Sequence, residues 1–274
     1  MIIELDKAEY RKCRKILHEQ GQLEALAVVE NINPGRIFVD DGNNPASGLI
    51  WLGNNDGFIF FGSEQNESFT SEINGFIDNT IRPEAKKVQL KWFEAMGNHE
   101  KWGPVIEAIF EHRKLGSWNQ KVYTLHLEDY REQSVPITEF GYEVLQIEEE
   151  LFTDESIKNI DFLQSKIVEF WPSVEAFFRS GKGYCIIHQN EVVSVCFSGF
   201  VADNVHGIHI ETVKAHQRKK LAQRIAHRFV KDCLENKIIP YWDCMEMNKP
   251  SVAVAESLGF KNVFNYVGYE FPLE

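Results

Sequence analysis

The residues best placed to do chemistry run from Gly207 to Gln223 and read GIHIETVKAHQRKKLAQ. A β-branched apolar strand passes without a long loop into a basic turn, and the turn opens directly into a helix. Seven Lys or Arg and no Asp or Glu lie between Thr212 and Lys231, in a chain whose formal net charge is -12. The first turn of a helix offers backbone N–H groups that have no intrahelical partner, at the positive end of the helix dipole. A phosphate or pyrophosphate fits that place. Ala222 lets such a group approach the backbone, and Lys219 and Lys220 add point charges. A solvated basic helix start and a nucleic-acid patch are the other readings. Basic side chains oppose the dipole at a helix N-terminus, which favours a ligand-related purpose.

A second segment follows at a fixed order. Asn248, Pro250 and Gly259 are good bounds for a helix, as N-cap, first-turn proline and C-terminal stop. Gln217-x-x-Lys220-x-Ala222 between strand and helix resembles the Q/R-x-x-G-x-G/A acetyl-CoA motif of the GNAT acetyltransferase superfamily. Asn248-x-x-Ser251 followed by Leu258-Gly259-Phe260 is similar to the segment after that family's fifth strand. The likeness covers the second half of the chain, and the two-part layout resembles the zwittermicin-resistance type. The resemblance implies that main-chain groups near Thr212 and Val213 pair with the pantetheine arm of acetyl-CoA. It implies that backbone N–H groups of Arg218, Lys219, Lys220, Leu221 and Ala222 hold the pyrophosphate, and that Asn248 and Ser251 contact the cofactor. Two residues depart from the pattern. Lys220 stands where the family has Gly, and Ala255 where a tyrosine often protonates the leaving thiolate.

Acetyl transfer to an amine needs a neutral nucleophile, whereas a free alkyl amine titrates near ~10. A carboxylate beside the substrate can accept that proton, directly or through water. Glu211, on the strand leading into the motif, is the first candidate, and Glu246, at the end of the next strand, the second. Either acid can equally serve to attract a cationic amine. Tyr266 and Tyr269 are the substitutes for the missing tyrosine, against a packing role in a C-terminal strand. His206, His209 and His216 lie close in sequence, but no Cys or carboxylate pattern accompanies them and strand alternation sets the first two on opposite faces, so no metal is expected.

The elements that must position these residues form two α/β patterns. In the first, a helical start to about residue 30 precedes short strands at Arg36 to Asp40, Ser47 to Leu52 and Phe58 to Phe61, with turn-rich GNNDG before the last. A helix at Phe69 to Ile81, a strand at Val88 to Trp92, a helix at Val105 to Phe110 and a strand at Lys121 to Leu127 complete it. The polar stretch Glu128 to Thr138, with Pro136, is the best linker, which gives domains 1–130 and 137–274. In the second, strands at Tyr142 to Ile147, Tyr184 to His188, Val192 to Phe200 and Ile208 to Val213 lead to an amphipathic helix at Leu221 to Leu234. The expected fold is α/β (α+β): a mixed, mostly antiparallel twisted sheet flanked by helices. GRIFVDDGNNPASGLIWLGNNDGFIFFG echoes GYCIIHQNEVVSVCFSGFVADNVHGIHIE. The N-terminal domain reads either as a degenerate copy of the second that lacks its basic turn, or as a β-meander whose likeness arises by chance.

The chain has 274 residues, with 43% apolar residues and twenty Phe, enough for two buried cores. No apolar run reaches the roughly 20 residues of a membrane span, and the N-terminus carries no signal-peptide pattern. A cytoplasmic enzyme is expected. The five cysteines are odd in number and lack metal or redox spacing, so buried thiols are expected. The acidic balance argues against nucleic acid and for a cationic partner. The function expected is acetyl transfer from acetyl-CoA to a primary amine of a small molecule, in a ternary complex and without metal. The rivals are a non-catalytic CoA-binding protein and a Fem-type aminoacyltransferase.

Overall fold

A computed structural model describes residues 1–53, 57–137 and 139–273. Asn54, Asn55 and Asp56 of the GNNDG turn, Thr138 at the end of the expected linker, and Glu274 lie outside the described residues. The strands are β1 (Ile3–Glu4), β2 (Arg36–Val39), β3 (Ser47–Trp51), β4 (Phe58–Gly62), β5 (Trp92–Gly97), β6 (Gly116–Thr124), β7 (Tyr142–Gln146), β8 (Gly183–His188), β9 (Glu191–Ala202), β10 (Val205–Thr212), β11 (Ile239–Met245) and β12 (Lys261–Pro272). The helices are α1 (Leu23–Val29), α2 (Glu67–Phe76), α3 (Arg82–Lys87), α4 (Trp102–Ile109), α5 (Ile160–Phe170), α6 (Val174–Ser180), α7 (Leu221–Glu235) and α8 (Lys249–Leu258).

The chain divides into two compact units, Met1–Gln120 with Phe264–Glu274, and Lys121–Val263. The C-terminal residues go with the first unit because β12 pairs antiparallel with β5, from Gly268↔Met96 to Pro272↔Trp92. Sequence alone had placed them in the second half.

In the first unit β1, β2, β3 and β4 pair antiparallel in succession, and β4 then pairs parallel with β5. In the second unit β7, β8, β9 and β10 pair antiparallel in succession, and β10 pairs parallel with β11. Each parallel pair is joined through a helical crossover, α2 and α3 in one case and α7 in the other. The two units therefore share one strand plan. Both give a mostly antiparallel sheet with helices against it.

In the second unit α7 sets Leu221, Ile225, Phe229 and Cys233 into a core with Tyr184, Ile186 and Cys196. On the other face Phe170 of α5 packs edge-on against Phe197. Adjacent residues 196 and 197 point to opposite faces, so α5 and α7 cover opposite sides of this sheet. Pro172 separates α5 from α6, whose first turn is capped by Ser173 Oγ accepting from Ala176 N–H. The first unit is held by an aromatic core. Phe60 is fully buried and packs against Phe69, Phe93, Trp102 and Phe110.

Three local expectations shift. The opening helix is a 3-10 run, Lys7–Ile16, followed by α1. Gly21 lies between them, against the Asn98 side chain, and a Cβ there would stand 2.1 Å from Asn98 Nδ2. The helix expected to stop at Ile81 continues through a π turn, Ile77–Ile81, into α3. Pro83 is tolerated because it falls in the first turn of α3. Gln89 then takes φ +60, so the strand starts at Trp92 and not at Val88.

His206 is buried on the α7 side of β10, its Nδ1 2.7 Å from Ser198 Oγ. Burial first, then nearby Lys182, pushes its pKa down to about 4. The folded chain thus refuses a proton that the unfolded chain takes up near 6.5. Stability present above pH 6.5 is expected to fall as pH drops from 6.5 to about 4, and His206→Gln should flatten that fall. Urea midpoints at pH 7 and pH 5 measure it; equal slopes in both proteins would remove His206 as the cause. Phe60→Ala should cost about 3–5 kcal/mol by the same method, as cavity and lost transfer energy combine.

Candidate active site

β10 pairs with β9 along its whole length, from Val205↔Ala202 to Thr212↔Ser194. Its parallel pairing with β11 ends at Gly207↔Tyr241, although β11 runs on to Met245. A register shift in the β10–β9 ladder, between His206 and Ile208, falls at the residue where the pairing with β11 ends. From Ile208 to Thr212 the edge of β10 that faces β11 is therefore open, among the described residues, to an extended ligand. The end of β10 is fixed from its other edge: Thr212 Oγ1 lies 2.8 Å from Ser194 Oγ, and Val213 N–H donates to Val193 C=O at 3.0 Å.

The basic turn fills the gap between β10 and α7. A short 3-10 turn, Lys214–His216, is followed by Gln217, whose Nε2 donates back to Thr212 C=O at 3.0 Å. Arg218 and Lys220 both take left-handed backbone, with φ of +63 and +62. Lys220 is the N-cap of α7 and makes no side-chain capping bond. The backbone N–H groups of Arg218 to Ala222 meet no acceptor among the described residues. Left-handed lysine costs about 1–2 kcal/mol relative to ordinary helix geometry. The glycine missing from the sequence is thus replaced by a lysine held in the glycine-like conformation. Such strain is found where an outer demand fixes the backbone.

Side chains support the turn. Lys219 Nζ donates to Tyr142 Oη at 2.9 Å and reaches Glu139 at 3.4 Å. The Tyr142 bond is the main cause that raises its pKa. Tyr142 Oη lies 2.9 Å from His216 Nδ1, and the Tyr142 ring stacks on His188 at 4.3 Å. Asn248 Oδ1 accepts from Ser251 N–H and so caps α8. Ser251 Oγ accepts from Trp242 Nε1 at 3.0 Å. Gly259 takes φ +102 at the C-terminus of α8, with its Cβ position against Asp129 C=O.

The acid candidates separate. Glu211 sits near the end of β10, where Lys166 of α5 donates to it at 3.0 Å and also to Glu169 at 2.9 Å. Burial disfavours the charge on Lys166, but the hydrogen bonds to Glu169 and Glu211 outweigh it and raise its pKa. His209 Nε2 is buried without a hydrogen-bond partner, 4.0 Å from Glu211. Burial, then Lys166, pushes its pKa down to about 4, so it is neutral at pH 7. The His209 ring is wedged between Phe170 and Phe197. Glu246 stands past the end of β11, 3.5 Å from Lys121. Tyr266 and Tyr269 belong to the first unit, on β12, and Tyr269 donates to Glu107 at 3.0 Å.

Sequence reasoning weighed His209 only as a metal ligand and passed over Tyr123. Tyr123, on β6, is buried in the same core as Ala255, and its hydroxyl meets no partner among the described residues. Burial, then Glu256, pushes the phenol up to about 12. Only the tertiary fold brings these groups to their places, so spacing held no signal for them. All five cysteines are buried and unpaired, and burial raises each thiol, so none is poised as a nucleophile. Among the described residues no group of three or more His, Cys, Asp or Glu is arranged to hold a metal, and no helix is long and apolar enough to cross a membrane.

The chain is 26% identical over 268 residues to the uncharacterized N-acetyltransferase YdfB of Bacillus subtilis (strain 168), covering 97% of each. Its fold is similar to that of a GCN5-related N-acetyltransferase-like protein from Streptococcus suis 89/1591, with a TM-score of 0.70 at 19% identity over 97% of this chain and 100% of that one. It also resembles a tandem GNAT protein from the clavulanic acid biosynthesis pathway, with a TM-score of 0.59 at 12% identity over 100% and 99% of the two chains. Residues 14–269 match the GNAT acetyltransferase family. With its parted strands, its uncapped basic helix start and this match over nearly its whole length, the chain belongs to the GNAT acetyltransferase family.

Proposed function

We propose that the second unit transfers an acetyl group from acetyl-CoA to a primary amine of a small molecule by direct attack in a ternary complex. The observation that carries this reading is the start of α7, where backbone N–H groups without acceptors meet a turn rich in lysine and arginine. The fit to acetyl-CoA rests on residues in hand. The open edge of β10 from Ile208 to Thr212 can take an extended amide-bearing arm as a further strand, and the N–H groups of Arg218, Lys219, Lys220, Leu221 and Ala222 can donate to the pyrophosphate. Lys220 adds charge that a glycine would lack. Asn248 and Ser251 shape the neighbouring helix start, and their contribution to the cofactor runs through that geometry. Bound there, acetyl-CoA supplies an activated thioester carbonyl.

The chain's own groups handle the protons. The incoming ammonium must lose a proton before its nitrogen can attack, and Glu211 is the carboxylate placed on β10 to accept it. Lys166 fixes the orientation of that carboxylate, and the neutral His209 beside it offers a second, uncharged acceptor. Glu246, just past the end of the other strand of the parted pair, attracts the cationic acceptor. With Ala255 in place of a hydroxyl, Tyr123 is the phenol in that core able to return a proton to the leaving sulfur. Tyr266 instead lines a cavity of the first unit. Ala255 also favours a second reading, a CoA-binding protein without turnover.

Acetyl-CoA at ~100 times its dissociation constant should stabilise the protein by about 2.7 kcal/mol and raise its melting temperature. Ala222→Asp sets an anion beside the phosphates and should abolish the shift. A wild-type protein with no shift overturns the reading, and a shift without turnover on any amine supports the second one. Glu211→Gln should reduce kcat more at neutral pH than above pH 9, where more of the amine is already neutral. Equal losses at both values would exclude Glu211 as the base.

A further inference from the structure

The first unit holds a cavity of about 750 Å³ that acetyl transfer in the second unit does not use. It opens where the strand plan places it. The parallel pairing of β4 with β5 ends at Phe60↔Gly97, as that of β10 with β11 ends at Gly207↔Tyr241. Glu64, just past β4, and Asn98 and His99, just past β5, line the space beyond.

The helix start at this place is closed to anions. Asn66 Oδ1 caps α2 by accepting from Phe69 N–H, and Asn66 Nδ2 is held by Asp40 at 2.7 Å. Glu64 precedes the cap and Glu67 occupies the first helical turn, whereas in the second unit Lys219 and Lys220 stand before the helix and no acid lies in its first turn. The cavity carries the opposite charge to the basic turn. Glu64, Glu100 and Glu107 line it, against Lys101. Glu64 lies 3.9 Å from His99, whose Nε2 is engaged with Gly62 C=O at 3.0 Å. Glu107 is oriented by the Tyr269 hydroxyl.

The rest of the wall is rigid or apolar. Asn98 is buried, accepting from His18 N–H and donating to Gln22 Oε1, and Gln22 donates to Gly97 C=O. Phe264 and Tyr266 of β12 add ring faces 6.2 Å apart. Carboxylates beside aromatic faces select a cation that carries an apolar body.

We propose that this cavity is a binding site for a small arylalkylammonium ion, held by Glu64 and Glu107 against Phe264 and Tyr266. The site stands apart from the acetyl-transfer reading, because it needs neither acetyl-CoA nor the basic turn. Phenethylamine is the probe, titrated into the full chain at pH 7 without acetyl-CoA and followed by calorimetry. Saturable binding is expected, about tenfold tighter than that of the uncharged isostere 2-phenylethanol. The double substitution Glu64→Gln with Glu107→Gln leaves Tyr269 an acceptor and should weaken phenethylamine about tenfold, toward the alcohol's affinity. Ala222→Asp should leave it unchanged. No binding of phenethylamine, or equal affinity for amine and alcohol in the wild-type protein, overturns the proposal whatever the double variant does.

Discussion

The candidate site of the second unit depends on one geometric constraint, the parting of two parallel strands. β10 and β11 share only the pairs from Val205↔Ile239 to Gly207↔Tyr241 before they separate. A sheet whose ladder is broken leaves polar backbone groups without partners, which is costly unless something else takes them up. The gap between the strands therefore both creates a binding edge and demands an occupant. β9 bears the structural load instead, since it pairs with β10 from end to end. The α5 and α7 faces add packing on either side, so β10 stays in place while its second edge remains open.

How much of this was legible in the sequence follows from how local each feature is. The span of α7 and the bounds of α8 were readable, because Leu221, Ile225, Phe229 and Cys233 repeat at helical spacing and Asn248, Pro250 and Gly259 act within one turn. The order of the strands followed from alternating apolar runs between turn residues. The continuation of the first unit's helix to Lys87 was hidden, since Pro83 reads as a stop unless a preceding π turn sets it in a new first turn. The return of β12 to the first unit was also hidden, because pairing with β5 spans more than 160 residues of chain. The acid cluster shows the same limit. Glu211 is named from its place on the strand, whereas Lys166, His209 and Tyr123 come to their surroundings only through tertiary packing.

The two units show what a shared strand plan permits and what it leaves open. In both a parallel strand pair ends close to a helix start, although only β11, and not β5, runs on past its last pair. What happens at the helix start differs by a few residues. In the first unit Asn66 satisfies one orphan donor, Phe69 N–H, with its own side chain, and Glu64 and Glu67 flank it. In the second unit Lys220 offers no cap, and bases surround it. A capped start is stable alone and repels phosphate; an uncapped one is strained alone and attracts it.

That contrast gives the left-handed Lys220 a physical meaning. A cap such as Asn66 would be the more stable choice at the start of α7, typically by about 1 kcal/mol. Lysine there forgoes the cap, and φ +62 adds further strain. Stability is given up at the place where, in the proposed function, donors must stay unpaired for the pyrophosphate. The fold can carry this because the start of α7 is pinned on both sides, by Gln217 folded back on Thr212 and by Leu221 buried in the core. The strained residue is therefore held by the side chains of its neighbours, which leaves the backbone N–H groups of the turn unengaged among the described residues.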